Sequence, residues 1–185
     1  VGGAFENGVG LPFLFLNGVL IDRNELSHSL FDNNPEVGGG CIRYNIQATT
    51  IVDNQITGAS LFRSPLCLTK FYRSIVHQPG KSLLPAGGSV PLGRVKFVLA
   101  NQGAFAGVPD EFEGGQRVNQ EGIPLFVDAA SDNYFLQRGW LGLDFAPAEN
   151  TNFTRDSGNR VVDLTATLNR FGPQDLGAFE TPNGP

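Results

Sequence analysis

The chain has no apolar stretch long enough to cross a bilayer as a helix. Such a helix needs about 20 apolar residues, and the longest candidate, residues 11–16, is short and contains Pro12. Histidine is nearly absent: His28 and His77 are the only two. Neither stands in an H-E-x-x-H motif, and the sequence has no G-x-S-x-G and no P-loop. Zincin, serine-hydrolase and P-loop nucleotide chemistry are therefore not indicated. There are two cysteines, Cys41 and Cys67, with no histidine beside them, which argues against a zinc site. Basic residues are few, 13 Lys and Arg against 18 Asp and Glu, for a net charge of −5. Along the chain they are scattered rather than striped. This argues against nucleic acid, against anionic membranes and against unassisted capture of polyanions. Methionine is missing altogether, and a chain opening Val1-Gly2-Gly3 reads as processed or trimmed. No amphipathic helix of ten or more residues can be drawn.

What the sequence does have is glycine, proline and phenylalanine: 24, 12 and 15 of 185 residues. Many tight turns and an aromatic core follow from that composition. The hydrophobic share is 41% and the charged share 17%, as in one folded domain able to bury a real core.

Four segments echo one another. They are Leu20-Ile21-Asp22-Arg23-Asn24, Ile51-Val52-Asp53-Asn54-Gln55, Ile75-Val76-His77-Gln78-Pro79 and Val98-Leu99-Ala100-Asn101-Gln102. Their starts are 31, 24 and 23 residues apart. A second echo follows the first three: Ser29-Leu30-Phe31, Ser60-Leu61-Phe62 and Ser82-Leu83-Leu84. A period in this range marks a stacked repeat. Residues 44–52 alternate and are rich in β-branched side chains, a strand signal, and Gly/Pro clusters separate the strands. The fold class expected is all-β: a right-handed parallel β-helix, each turn pairing with the turns beside it. Ile51, Ile75 and Val98 are expected to form one ladder in its core. An antiparallel sandwich is the competing all-β reading. Residues 1–122 are assigned to the coils, with a loop insertion near 104–122 carrying Asp110, Glu111 and Glu113. Residues 123–185 are assigned to a final coil and cap. Because the echo starts almost at once, the N-terminal end of the stack is expected to be covered by missing coils or a partner.

The tail carries further pattern. Pro124-Leu125-Phe126, Asn133-Tyr134-Phe135-Leu136, Leu143-Asp144, Asp156-Ser157-Gly158-Asn159-Arg160 and Asp175-Leu176-Gly177-Ala178-Phe179-Glu180 follow in order. This order resembles the C-terminal end of bacterial right-handed parallel β-helix proteins. These are secreted or surface proteins of the pectate-lyase-like superfamily, including the choice-of-anchor type. Their last coils read P-x-F, Y-x-L, S-P-A-I-D-x-G, D-x-x-G-x-x-R and D-I-G-A-x-E. Here Gly139-Trp140-Leu141-Gly142-Leu143-Asp144 replaces the S-P-A-I-D stretch, and Arg160 follows its glycine by two positions. Gly177 is expected to permit a close backbone approach. Asp175 and Glu180, with Arg160 as partner, are expected to close the last strand edges as a cap.

Several constellations bear on chemistry. Cys41 and Cys67 precede their ladder residues by 10 and 8 positions, which suits a rung-to-rung disulfide; two buried thiols are the alternative. Asp22 and Asp53 fall in one column of the echo with His77, and Arg23 is adjacent. The resemblance implies acid, base or Ca²⁺-binding carboxylates on stacked strands with a basic residue as proton acceptor, and a paired-carboxylate glycosidase would use the same groups. Ordinary turn chemistry explains the same residues. Asp128, Asp132 and Asn133 make an oxygen-rich loop, either a turn or a Ca²⁺ ligand set. Tyr72 with Lys70 and Arg73 forms either core packing or an outward strip that stacks on sugar rings. The leading expectation is a non-enzymatic exported module, extracellular, surface-bound or periplasmic, whose flat faces meet a surface polysaccharide or a protein subunit. The alternative is a polysaccharide lyase or hydrolase. No cofactor is expected beyond that Ca²⁺ option, and no nucleic acid.

Overall fold

The computed structural model describes residues 13–31, 43–63, 68–88, 95–101, 104, 116–117, 125–137, 143, 146–147 and 175–179. They form an all-β protein with parallel sheets. The strands are β1 (Phe13–Asn17), β2 (Leu20–Asp22), β3 (Glu25–Leu26), β4 (Arg43–Gln47), β5 (Thr50–Val52), β6 (Gln55–Ile56), β7 (Leu68–His77), β8 (Val95–Ala100), β9 (Gln116–Arg117), β10 (Phe126–Asp128) and β11 (Asn133–Leu136). The one helical element among the described residues is a 3-10 turn, Ala129–Ser131, so none of them forms a helix long and apolar enough to cross a membrane.

Each repeat has three arms. β1, β4, the first half of β7 and the start of β8 pair in parallel as the first arm. β2, β5, the second half of β7 and the end of β8 pair as the second. A third arm joins β3 to β6 and continues through parallel bridges Phe31↔Phe62 and Ser60↔Ser82. Between the first two arms the chain turns through one left-handed residue per repeat: Gly18, Ala48, Arg73 and Phe97, with φ of 66°, 45°, 49° and 51°. Only Gly18 takes that conformation without steric cost.

The second echo is borne out. Phe31 and Phe62 stack at 4.4 Å between ring centroids. The hydroxyls of Ser60 and Ser82 each donate to the carbonyl two residues on. The first echo needs a correction of one residue. Leu20 pairs with Thr50, Thr50 with Ile75 and Ile75 with Leu99; Ile51 pairs with Ile21 and Val76. A slip of one moves every side chain to the other face. Ile51 and Val98 accordingly lie in a core shared by all three arms, whereas Ile75 lies in a second cluster on the opposite face. The expected Ile51–Ile75–Val98 ladder is not formed.

The cause is a corner. Arg23 and Asp53 are extra left-handed residues (φ 49° and 52°) between the second arm and a polar ladder that is buried except at half-buried Asn24. His77 is followed directly by the ladder residue Gln78, and Ala100 by Asn101. The ladder is Asn24, Asn54, Gln78 and Asn101. The Asn24 amide N–H donates to Asn54 Oδ1 (3.1 Å), that of Asn54 to Gln78 Oε1 (3.1 Å) and that of Gln78 to Asn101 Oδ1 (2.9 Å). Asn54 Nδ2 donates in addition to the carbonyls of Ile21 and Val52, at 3.0 Å each. Buried backbone groups at a corner need such partners.

The C-terminal segments lie across the second arm. β10 and β11 form an antiparallel hairpin. Leu125, Phe126, Tyr134, Leu136, Leu143, Ala146 and Leu176 pack on Val52, Ile75, Phe97 and Leu99. Gly177 N–H donates to the Arg73 carbonyl (2.8 Å), and Ala178 N–H donates to Thr50 Oγ1 (3.0 Å). The described tail thus covers a sheet face, where the sequence suggested closure of the last strand edges. The expected insertion near 104–122 is also partly stacked. The Ala104 carbonyl accepts from Leu83 N–H at 2.6 Å, and β9 continues the second arm beside β8.

Candidate functional site

The carboxylates expected to share one column are separated by the register. Asp22 projects from β2 and pairs with Val52, which pairs with His77. Asp53 stands at the left-handed corner, exposed. Asp22 instead meets the hairpin. The Tyr134 hydroxyl donates to Asp22 Oδ2 (3.0 Å), and Arg23 Nε donates to the same oxygen (3.0 Å). A terminal nitrogen of Arg23 pairs with Asp132. Asp22, Arg23, Asp132 and Tyr134 therefore form a clasp between the stack and the hairpin.

The electrostatics suit a clasp. Burial, then the Asp22 hydrogen bond, push the Tyr134 hydroxyl up to about 12, so it stays a proton donor. The bonds to Asp132 and Asp22 raise Arg23 above its ordinary value. Burial lowers His77 below 6.5, opposed by the Asp53 charge, while its ring stands edge-on to Phe126 at 6.3 Å. Asp22 is thus committed to two donors rather than open to a reacting group.

The oxygen-rich loop is similarly engaged. Asp128 Oδ1 accepts from Ser131 N–H (3.3 Å) and caps the 3-10 turn, and Asp132 closes that turn with φ 61°. Asn133 Oδ1 accepts from Phe135 N–H at 3.3 Å. Among the described residues no three His, Cys, Asp or Glu side chains group as a metal site. A shallow depression over β3 and β6 is lined by Glu25, Leu26, Ser27, Gln55, Ile56 and Thr57. It holds a single titratable group and no acid–base pair.

A different surface gathers binding chemistry. The first arm turns Leu16, Tyr44, Ile46, Phe71 and Val95 into the shared core. Its other face carries Phe15, Asn17, Arg43, Asn45, Gln47, Lys70, Tyr72 and Lys96. Phe15 is 51% exposed and Arg43 is exposed. Asn17, Gln47, Tyr72 and Lys96 form one cross-strand row, and Phe15, Asn45 and Lys70 form the next. Lys70 Nζ lies 4.3 Å from the Tyr72 ring centroid and Lys96 Nζ lies 6.0 Å from it. Gln47 Nε2 donates to Asn45 Oδ1 (3.0 Å). Of the expected sugar-facing strip, Lys70 and Tyr72 are on this face. Arg73 is a corner residue, 2% exposed, whose guanidinium donates to Gln47 Oε1 at 2.8 Å.

Cys41, Cys67, Arg160 and Glu180, and the acidic residues 110–113, lie outside the described residues. Asp175 is fully buried, and Gly177 takes φ +90° against Thr50 and Ile75. Sequence reasoning missed Tyr134 as the clasp donor, because 112 residues separate it from Asp22. The ladder amides left a signal, since Asn54, Gln78 and Asn101 align in the echo, with Arg23 where Asn24 belongs. No family model, no curated protein and no solved structure matches the chain.

Proposed function

We propose that this chain is a right-handed parallel β-helix acting as a non-catalytic binding module, which takes an extended glycan along the outer face of its first arm. Three arms in parallel register, stacked left-handed corners and one core common to all arms support the solenoid. The observation that carries the binding reading is the unequal treatment of the two faces. The second arm is covered by the hairpin and tail, whereas the first arm presents Tyr72 and Phe15 beside the partly exposed amides of Asn17 and Asn45. Rings offer apolar contact to sugar faces, and amides pair with hydroxyls from both sides. An exported location, at a cell surface or beyond it, goes with this reading.

The test is retention of the intact chain on a panel of immobilised polysaccharides, with new reducing and unsaturated ends assayed alongside. Retention without new ends, lost in Tyr72→Ala, is the expected result. New ends that vanish in Asp22→Asn would replace the reading with a lyase or hydrolase. Failure of the folded chain to hold any polysaccharide would overturn it.

A further inference from the structure

The fold sorts the charges of this acidic chain onto different faces. The acidic side chains of the described residues are Asp22, Glu25, Asp53, Asp128, Asp132 and Asp175. None of them lies on the first arm, whose outer face carries Arg43, Lys70 and Lys96. Asp128 and Asp132 are exposed on the hairpin. With Asp22 they outnumber Arg23, the one cation among the described residues of the clasp and hairpin, by two. One face of the molecule is therefore basic, and another, round the corner from it, is acidic.

Each of these faces has an apolar centre. Phe15 and Val127 are the exposed large hydrophobic side chains of the described residues, at 51% and 50%. Phe15 pairs with Asn45 and Asn45 with Lys70, and Arg43 stands two positions along β4 on the same side of the sheet. Val127 follows buried Phe126 on β10, and half-buried Phe135 alternates with buried Tyr134 and Leu136 on β11. Val127 and Phe135 therefore stand on the outward side of the hairpin, with Asp128 and Asp132 towards its turn. An apolar centre within a polar rim is the anatomy of a protein interface. The two rims here are of opposite sign, so the patches complement each other.

We infer that copies of this chain associate through these patches: the outer face of the first arm of one copy receives the outward side of the hairpin of the next. One molecule does not close the contact on itself, because the clasp holds its hairpin over the second arm. Contact between unlike patches builds chains or rings. The patches are small, so association is weak and follows concentration. The net charge of −5 repels copies at a distance, but physiological salt screens that repulsion beyond about 8 Å and leaves the close pairing. This goes beyond the glycan reading, and it makes a neighbouring copy and a polysaccharide competitors for one face.

Sedimentation equilibrium of the intact chain over about a hundredfold range of concentration tests the inference. The average mass is expected to climb above that of the monomer. Phe15→Ser with Lys70→Gln strips the first-arm patch. Val127→Ser with Asp128→Asn strips the hairpin patch, and the new amide keeps the acceptor that caps the 3-10 turn. Each double variant alone is expected to associate about tenfold or more weakly. Mixed in equal amounts, the two retain one intact contact per pair, so the mixture forms a dimer and nothing larger. Arg63→Gln, at an exposed base on the third arm, changes nothing. Circular dichroism checks that every variant is folded. A chain that stays monomeric throughout, association that survives in either double variant, or a mixture no more associated than its components would overturn the inference. Polysaccharide retention is scored separately, so the glycan reading stands or falls on its own panel.

Discussion

Asn54 shows how much a single side chain carries in this architecture. It is 4% exposed, its Oδ1 accepts from both the backbone and the side chain of Asn24, and its Nδ2 donates to two carbonyls. Asn54→Ala leaves those groups buried without partners, each costing about 1–3 kcal/mol where water does not reach. Allowing for some water entry, a loss of about 3 kcal/mol is expected in urea unfolding. An unchanged midpoint would mean the ladder is not holding the corner. The sequence shows why amides are used there. The corner needs one acceptor and two donor hydrogens on one uncharged side chain, and the Asn or Gln amide supplies them as a separate C=O and NH2.

At the scale of the element, the hairpin is where pH acts. His77 sits under Phe126 with its pKa lowered from 6.5 by burial, so below 6.5 the unfolded chain takes up a proton that the folded chain resists. Stability from this group is full above 6.5 and falls as pH drops through the folded value. Tyr134 has the opposite sign. Its pKa rises from 10 to about 12, so its contribution holds below 10 and is lost as pH climbs towards 12. Melting temperature against pH is therefore expected to show a plateau between those limits. Tyr134→Phe should remove the alkaline limb and cost about 1.5 kcal/mol at neutral pH, the worth of a hydrogen bond to a charged acceptor. If the alkaline limb persists in that variant, another group owns it. The strands themselves were legible, because alternation and β-branching are local properties. The clasp was not, since Asp22, Arg23, Asp132 and Tyr134 meet only when the hairpin folds back over the first described repeat.

For the whole molecule, the arrangement turns on which face of the stack the C-terminal segments cover. Gly177 fits that contact closely. A Cβ there would lie 2.6 Å from Thr50 Oγ1 and 2.8 Å from Ile75 Cδ1, at φ +90°. Gly177→Ala is expected to cost about 2–4 kcal/mol, combining overpacking with left-handed strain, and to loosen the tail before the stack. Limited proteolysis should then cut near residues 175–179 first; an unaltered digestion pattern and melting temperature would show that the tail does not depend on this approach.

That the chain is β-rich and repetitive, with the second echo in true register, could be read from the residues alone. Equivalent slots in stacked turns face equivalent surroundings, so they select similar residues. The residues alone did not set the register of the second arm. Two repeats insert a left-handed residue at the polar corner, the third omits it and the fourth is one residue shorter again, so the strands and the ladder keep different spacings. No local pattern marks the omission. The pairing of bases on the first arm was equally hidden. Lys70 and Lys96 are 26 residues apart in the sequence and meet at the Tyr72 ring only because parallel stacking sets residues a full repeat apart on adjacent strands. Which sheet face stayed open was decided by the tail, through burial of Val52, Ile75 and Leu99 on one side alone.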